Sequence, residues 1–364
     1  MALSIGIVGL PNAGKSTVFN ALTRAAVAVA PYPFTTVEPH HGVVPVPDPR
    51  IDAVARVTHP ARTVPATVEF LDIAGLVRGA SRGEGLGNQF LGHIREVSAV
   101  GHVVRCFPAP DVPHVEGAPD PLRDIEIVET ELCLADLSTV EREIERQRSR
   151  ARAHEARASE HLETLTAVAD ALKRGVMVRR LPADPERAAL VRPLRLLTDK
   201  PVVYVANIAE DDLPHGGPDG ERVREHARAV GAEAVVLAAK LEAEAAALPE
   251  AEAMEMLRAY GLEKPGLWSL VHAARRSLDL VTFFSTDSKE VRAWSVPRGT
   301  KAPQAAGQIH TDMERGFIRA EVINWEALLR AGSLKAAHDH GQIALEGREY
   351  VIRDGDVIHF RFAV

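Results

Sequence analysis

The chain has 364 residues, 46% of them hydrophobic and 26% charged, with a formal net charge of -7. That length gives room for two or three domains with a sizeable core, and the negative balance argues against a chain-wide polyanion binder while leaving room for a local basic patch. Two cysteines, Cys106 and Cys133, exclude a disulfide scaffold or a Cys-rich zinc module. No apolar run nears the ~20 residues that span a bilayer and the first cationic side chain is Lys15, so a cytoplasmic protein with no membrane partner is expected.

Residues 2–9 read as a short buried strand followed by a Gly-rich turn. Residues 16–26 then have helical spacing, with Val18, Phe19, Ala21, Leu22 and Ala26 apolar. Residues 67–71 alternate like a strand, and 101–107, 201–206 and 234–237 are further apolar strand-like runs. Strands alternating with helical segments predict an α/β fold with a doubly wound, mostly parallel sheet. Residues 124–197 break the alternation. Ile127, Leu132, Leu134, Leu137, Val140 and Ile144, then Leu162, Leu165, Val168 and Leu172, follow helical spacing, and Gly175 and Pro182 end the second run. A helical insertion is expected there, a coiled-coil-like αα-hairpin. Within it, Arg146, Arg148, Arg150, Arg152 and Arg157 face a single Glu155. They form either a solvated helix face or an arm that meets RNA. From about Val281 short alternating runs replace the long helices, and Asp354-Gly355 between two alternating arms predicts a β-hairpin in a small β-rich domain. The expected plan is a nucleotide-binding domain of residues 1–123 and 198–280, an insertion of 124–197 and a β-rich domain of 281–364.

The turn after the first strand, Gly9-Leu10-Pro11-Asn12-Ala13-Gly14-Lys15-Ser16, matches the P-loop pattern at every position, in the strand–turn–helix context that the pattern requires. Such a loop turns its backbone N–H groups around phosphates, and the helix that follows adds its N-terminal dipole. Asn12, Ala13, Gly14, Lys15, Ser16 and Thr17 would line the nucleotide. Lys15 would neutralise the β- and γ-phosphates, and the Ser16 hydroxyl would take one Mg²⁺ position. One strand later Asp72-Ile73-Ala74-Gly75 delivers an acid to the same sheet edge. Asp72 would hold Mg²⁺ and the Gly75 amide would meet the γ-phosphate. Between them Thr36, with Thr35 in reserve, is the candidate to close over Mg²⁺, and residues 79–87 carry the glycines of a second switch. Asn12 offers either an oxygen for a monovalent cation such as K⁺ or simply the geometry of a turn.

Guanine-specific proteins of this architecture carry Asn-Lys-x-Asp after the matching strand. Here the run is Asn207-Ile208-Ala209-Glu210. The longer Glu210 misplaces a bidentate contact to guanine, so adenine is the expected base. Asn207 would meet the base or hold the loop, Ile208 would pack on the base, and Ala238-Ala239-Lys240 would close the base pocket. The position that usually carries a water-orienting Gln is Leu76. His93 and His114 are the candidates to act in its place, unless hydrolysis waits for a partner.

Together these residues resemble the Obg-like ATPase (YchF) family of P-loop GTPases. The likeness runs through residues 9–17, 32–39, 72–77, 83–90 and 101–107, the Asn207–Glu210 variant and the helical insertion. The C-terminal region resembles the family's TGS domain, a ubiquitin-like β-grasp module, in residues 289–294, 299–304, 309–312 and 316–320. The resemblance implies Mg²⁺-dependent hydrolysis of ATP in preference to GTP, slow without a partner. It also implies a catalytic His114 beside Lys15 and Gly75, stimulation by K⁺ in some members, and association with the ribosome, its large subunit or the 70S particle. The alternatives are a GTP-dependent ribosome-assembly factor, or a ribosome- or RNA-binding module with a slow regulatory nucleotide site. Pro31, Thr35 and Ala238 depart from the family pattern.

Overall fold

The computed structural model describes residues 3–29, 41–73, 79, 86–109, 111–152, 157–286 and 289–363. In chain order the strands and helices are β1 (Ser4–Val8), α1 (Lys15–Val29), β2 (His41–Pro45), α2 (Pro49–Thr58), β3 (Arg62–Val64), β4 (Thr67–Asp72), α3 (Leu86–Glu96), β5 (Ala99–Cys106), α4 (Pro121–Arg152), α5 (Ala158–Lys173), α6 (Pro185–Val191), β6 (Val202–Ile208), α7 (Gly217–Ala229), β7 (Glu233–Leu237), α8 (Ala239–Ala245), α9 (Glu250–Ala259) and α10 (Gly266–Ser277). There follow β8 (Leu280–Thr286), β9 (Glu290–Pro297), α11 (Ala302–Ile309), α12 (Thr311–Arg315), β10 (Phe317–Asn324), α13 (Trp325–Ala331), α14 (Leu334–Asp339), β11 (Ala344–Glu346) and β12 (Asp356–Phe362).

The first compact unit comprises residues 1–43 and 69–277. Its sheet has the order β2-β4-β1-β5-β6-β7, and the β4–β1, β1–β5, β5–β6 and β6–β7 pairs are parallel. β1, β5 and β6 are buried along their whole length, as befits parallel strands covered on both faces, and this is why they read as continuous apolar runs. In such a sheet the loops at the carboxyl ends of neighbouring strands form one crevice. The loops after β1, β4, β5 and β6 are those that carry the candidate site.

The insertion is helical as expected, but α4 serves two cores. Ile125, Ile127, Val128, Leu132 and Ala135 join the core of the parallel sheet. Cys133, Val140 and Ile144 join a separate core with Leu165, Val168 and Leu172 of α5. Two buried carboxylates fasten this arm. Glu129 accepts from the Tyr204 hydroxyl at 2.5 Å, from Arg180 at 2.7 Å and from Arg179 at 3.2 Å. Asp136 accepts from the Leu197 and Thr198 amides at 3.0 and 2.7 Å and from the Thr198 hydroxyl at 2.7 Å. Of the arginine run, Arg146 and Arg148 pair with Glu143 and Glu145 one turn earlier, acids that lie just outside the window in which the run looked unopposed.

The second unit comprises residues 44–68 and 278–364. The expected plan gave 44–68 to the nucleotide-binding domain, and the structure corrects it. β3 pairs with β9 through Arg62–Glu290, Thr63–Val291 and Val64–Arg292. The Arg50 guanidinium binds both Asp48 and Asp354. The sheet order is β11-β10-β12-β8-β9-β3, with β8–β9 and β10–β12 antiparallel and β12–β8 parallel. Setting β3 aside, this is the β-grasp arrangement, filled by Phe283, Val296, Ala305, Phe317 and Phe360. The hairpin expected at Asp354-Gly355 is absent. Gly355 has φ 88 while Asp354 is not left-handed, so the type I′ geometry fails. Asp354 instead accepts from the Thr282 amide at 2.8 Å, and Val351 bridges to Lys301.

Candidate nucleotide site

The loop between β1 and α1 has the strained backbone that the glycine pattern requires. Gly14 has φ 94 and Asn12 φ 61, both in the region that favours glycine or asparagine. A Cβ on Gly9 would lie 2.3 Å from the Val103 carbonyl oxygen, so β5 packs against this loop as closely as backbone allows.

Lys15 starts α1, is buried, and donates from Nζ to the Leu10 carbonyl at 2.8 Å. Burial lowers its pKa from 10.5 to about 8, and Asp72 pulls it partly back. The Ser16 hydroxyl donates to Asp72 Oδ2 at 2.9 Å. Ile7 and Asp72 are partners across β1 and β4, and this register carries the carboxylate to the start of α1. A hydroxyl, a carboxylate and an ammonium thus converge at one helix N-terminus. The oxygen pair suits a hard divalent cation, and the lysine suits phosphate. Thr17, next on α1, is partly exposed. Thr35, Thr36, Gly75, Leu76 and residues 80–85 lie outside the described residues.

Asn207, buried at the end of β6, joins two loops. Its Nδ2 donates to the Ala13 carbonyl at 3.0 Å, and its Oδ1 accepts from the Ala239 amide at 3.0 Å. Of its two expected roles, holding the loop is the one the geometry supports. Ile208 was expected to pack on the base. It is instead 3% exposed and part of the sheet core, because the last residues of β6 are covered on both faces. Glu210 begins a short 3-10 turn. Its Oε1 is 3.5 Å from Lys240 Nζ, and its Oε2 accepts from the Tyr260 hydroxyl at 3.5 Å.

The loop after β5 meets the phosphate loop directly, since Asn12 Nδ2 donates to the Pro113 carbonyl at 3.0 Å. Arg105, 2% exposed, holds the base of this loop by donating to the carbonyls of Phe107 at 3.3 Å, Val112 at 3.1 Å and Ala109 at 3.1 Å, while its guanidinium lies over the Phe107 ring. The sequence reading missed Arg105. Its only local signal is a cation within Val103-Val104-Arg105-Cys106 of an otherwise apolar strand. In the same loop His114 Nε2 lies 2.8 Å from Asp124 Oδ2, and His114 Nδ1 accepts from the Glu116 amide at 3.1 Å. Burial pushes the Asp124 carboxyl up, and His114 and Arg123 oppose that push. Asp124 was also missed, as was Glu131, which accepts from the Gly79 amide at 2.6 Å. His93, the other histidine candidate, is exposed on α3. Cys106 is buried and its thiol pKa is raised by that burial, which disfavours the reactive thiolate.

A family model described as "50S ribosome-binding GTPase" matches residues 4–137, and the YchF C-terminal model, "Protein of unknown function (DUF933)", matches residues 280–363. The chain is 48% identical over 364 residues to the Ribosome-binding ATPase YchF of Haemophilus influenzae and 47% identical over 366 residues to that of Bacillus subtilis, in each case covering 100% of both chains. The structure of the Schizosaccharomyces pombe YchF GTPase superposes with a TM-score of 0.88 at 34% identity, over 99% of this chain and 97% of that one. A P-loop backed by Asp72, a lysine-held Glu210 where guanine readers carry Asp, and full-length likeness in sequence and fold lead to one assignment: the chain belongs to the YchF family.

Proposed function

We propose that this chain is an ATP-binding and ATP-hydrolysing switch protein that associates with the ribosome. The observation that carries ATP over GTP is the seating of Glu210. A carboxylate free to accept two guanine N–H groups must present both oxygens to the base, whereas Glu210 has Lys240 near one oxygen and Tyr260 on the other. A site that loses a pair of directed hydrogen bonds loses guanine selection with them.

Phosphate binding falls to the amides of the 9–14 loop and to Lys15. Ser16 and Asp72, in contact with each other, would hold Mg²⁺, with Thr36 as its further expected ligand, and when bound it would neutralise charge on the phosphates. Gly75 would place its amide at the γ-phosphate. Leu76 has no group to orient water, and His114 is the residue proposed to replace that function. It lies on the loop that Asn12 ties to the phosphate loop. The K⁺ role of Asn12 stays within this proposal. Its left-handed backbone answers the turn requirement independently. Ribosome association is supported by the names of the full-length relatives. The arginines of α4 and the β-grasp unit are the proposed RNA-facing surfaces. Among the described residues no helix is long and apolar enough to cross a membrane.

The deciding experiment measures ATP and GTP binding and hydrolysis with and without ribosomes, in potassium and in sodium. Tighter ATP binding and ribosome-stimulated turnover are expected. GTP binding tenfold tighter than ATP would overturn the base assignment.

A further inference from the structure

We propose that Asp124 is the positioning residue for His114, fixing its imidazole in the Nε2–H tautomer so that Nδ1 is the nitrogen that meets the attacking water. This rests on the reading that His114 takes part in hydrolysis.

The two ring nitrogens are held by partners of opposite character. A carboxylate has no proton to give, so the 2.8 Å contact between Asp124 Oδ2 and Nε2 requires a proton on Nε2. A backbone N–H can only donate, so the 3.1 Å contact from Glu116 requires a lone pair on Nδ1. Both contacts select the same tautomer.

The contacts also differ in strength. The His114 and Asp124 side chains are 2% and 4% exposed, and a hydrogen bond to a carboxylate in such surroundings is roughly twice as strong as one between neutral groups. The Glu116 bond is neutral and joins residues two apart in a loop. A change in that loop therefore exchanges the Glu116 contact first, freeing Nδ1 while Asp124 keeps the ring. Nδ1 then receives the proton of the attacking water. The water oxygen bonds to the γ-phosphorus, the bond from that phosphorus to the β,γ-bridging oxygen breaks, and its electron pair leaves with ADP. The imidazolium so formed keeps its Nε2 proton, which it donates in the hydrogen bond to Asp124, and later gives up the Nδ1 proton to solvent.

Placement supports the role. Asp124 is in the first turns of α4, which is packed into the sheet core through Ile125 and Val128. Positioning from a packed helix is firmer than from a loop. Asp124 and Glu131 are seven residues apart, two helical turns, and share a face. One carboxylate holds His114 and the other holds Gly79, just beyond Asp72.

The test uses the full chain. With ¹⁵N-labelled histidine, ring nitrogen–proton correlation spectra, assigned by comparison with His114→Ala, should show the Nε2–H tautomer at His114. An Nδ1–H tautomer in the unaltered protein would overturn the proposal whatever the Asp124 variants do. Asp124→Asn should lower kcat for ATP at least tenfold with KM within twofold, Asp124→Glu should recover part of the loss, and Asp124→Asn should cause no further loss in a His114→Ala background. If Asp124→Asn leaves kcat unchanged while His114→Ala is slow, or slows both backgrounds equally, the proposal falls and the role of His114 stands. If His114→Ala hydrolyses ATP at the unaltered rate, the reading of His114 falls and takes the proposal with it.

Discussion

A Cβ on Gly14 would sit 2.2 Å from Nδ2 of Asn207. The phosphate loop and the end of β6 are thus in contact through an amide that has no room to retreat, since the same side chain binds both Ala13 and Ala239. Asn207→Ala removes two buried hydrogen bonds and leaves two backbone groups without partners, each costing about 1–3 kcal/mol. ATP affinity should fall between tenfold and several hundredfold, measured by calorimetric titration, while the thermal midpoint falls by a few degrees. Unchanged affinity would mean that the contact does not shape the loop.

Lys15 trades stability for binding. Its burial holds the amine pKa at about 8, a cost to the folded state that is fully present at neutral pH, where the amine is charged in both states. Lys15→Met should raise folding stability at pH 7 by about 1–3 kcal/mol and abolish ATP binding. Loss of both stability and binding would contradict the desolvation account.

Glu210 and Lys240 should be readable as a pair. Glu210→Asp shortens the acid, breaks its reach to Lys240 and Tyr260, and frees it toward a base. The ratio of ATP to GTP affinity should fall about tenfold, or 1.4 kcal/mol, in competitive binding. Lys240→Ala should move the ratio the same way by less.

Glu242 sets a pH dependence. Buried at 2% exposure, it accepts from the Gly266 amide at 2.5 Å, and burial raises its pKa from 4.5 to about 7 against the pull of the Gly266 and Leu267 amides. The folded chain therefore holds a proton there that the unfolded chain releases. The resulting stabilisation is complete below pH 4.5 and lost as the pH rises through about 7, on the order of 3 kcal/mol in all. Glu242→Gln keeps the Gly266 bond and should flatten this part of the stability–pH curve in chemical denaturation.

The arm should depend on Glu129. Removing the acid strands Tyr204, Arg179 and Arg180 around a buried site. Glu129→Ala should destabilise the fold by about 3–5 kcal/mol while leaving the phosphate-loop residues unaltered, a separation that denaturation and nucleotide titration together would reveal.

What could be read from the sequence was what is local. Gly9 to Ser16 is contiguous, and a strand before it and a helix after it complete the argument. Asp72 and Asn207 follow because each ends a strand of a parallel sheet, where neighbouring ends share one crevice. Residues whose roles depend on how a loop or the chain folds back on them were illegible. Arg105 reads as a stray cation until its three carbonyls fold over it. Asp124 and Glu129 look like ordinary acids of an amphipathic helix. β3 has only three residues and finds β9 far along the chain, so nothing local marks residues 44–68 as part of the second unit. At Asp354-Gly355 the turn signal was correct but the pairing was not, because long-range hydrogen bonds to Thr282 and Arg50 claimed the side chain that a hairpin would have left at its tip.

The unbroken course of α4 has a mechanical meaning. Its 32 residues extend about 47 Å along the axis at the ordinary helical rise. The acids that grip His114 and Gly79 stand near one end, and Arg146, Arg148 and Arg150 stand near the other. Such a rod magnifies small motions: a tilt of about 5° at the Asp124 end sweeps the arginine end through about 4 Å over that span. A displacement of a loop by a fraction of a phosphate's width would then arrive at the far tip as a step large enough to make or break contacts there.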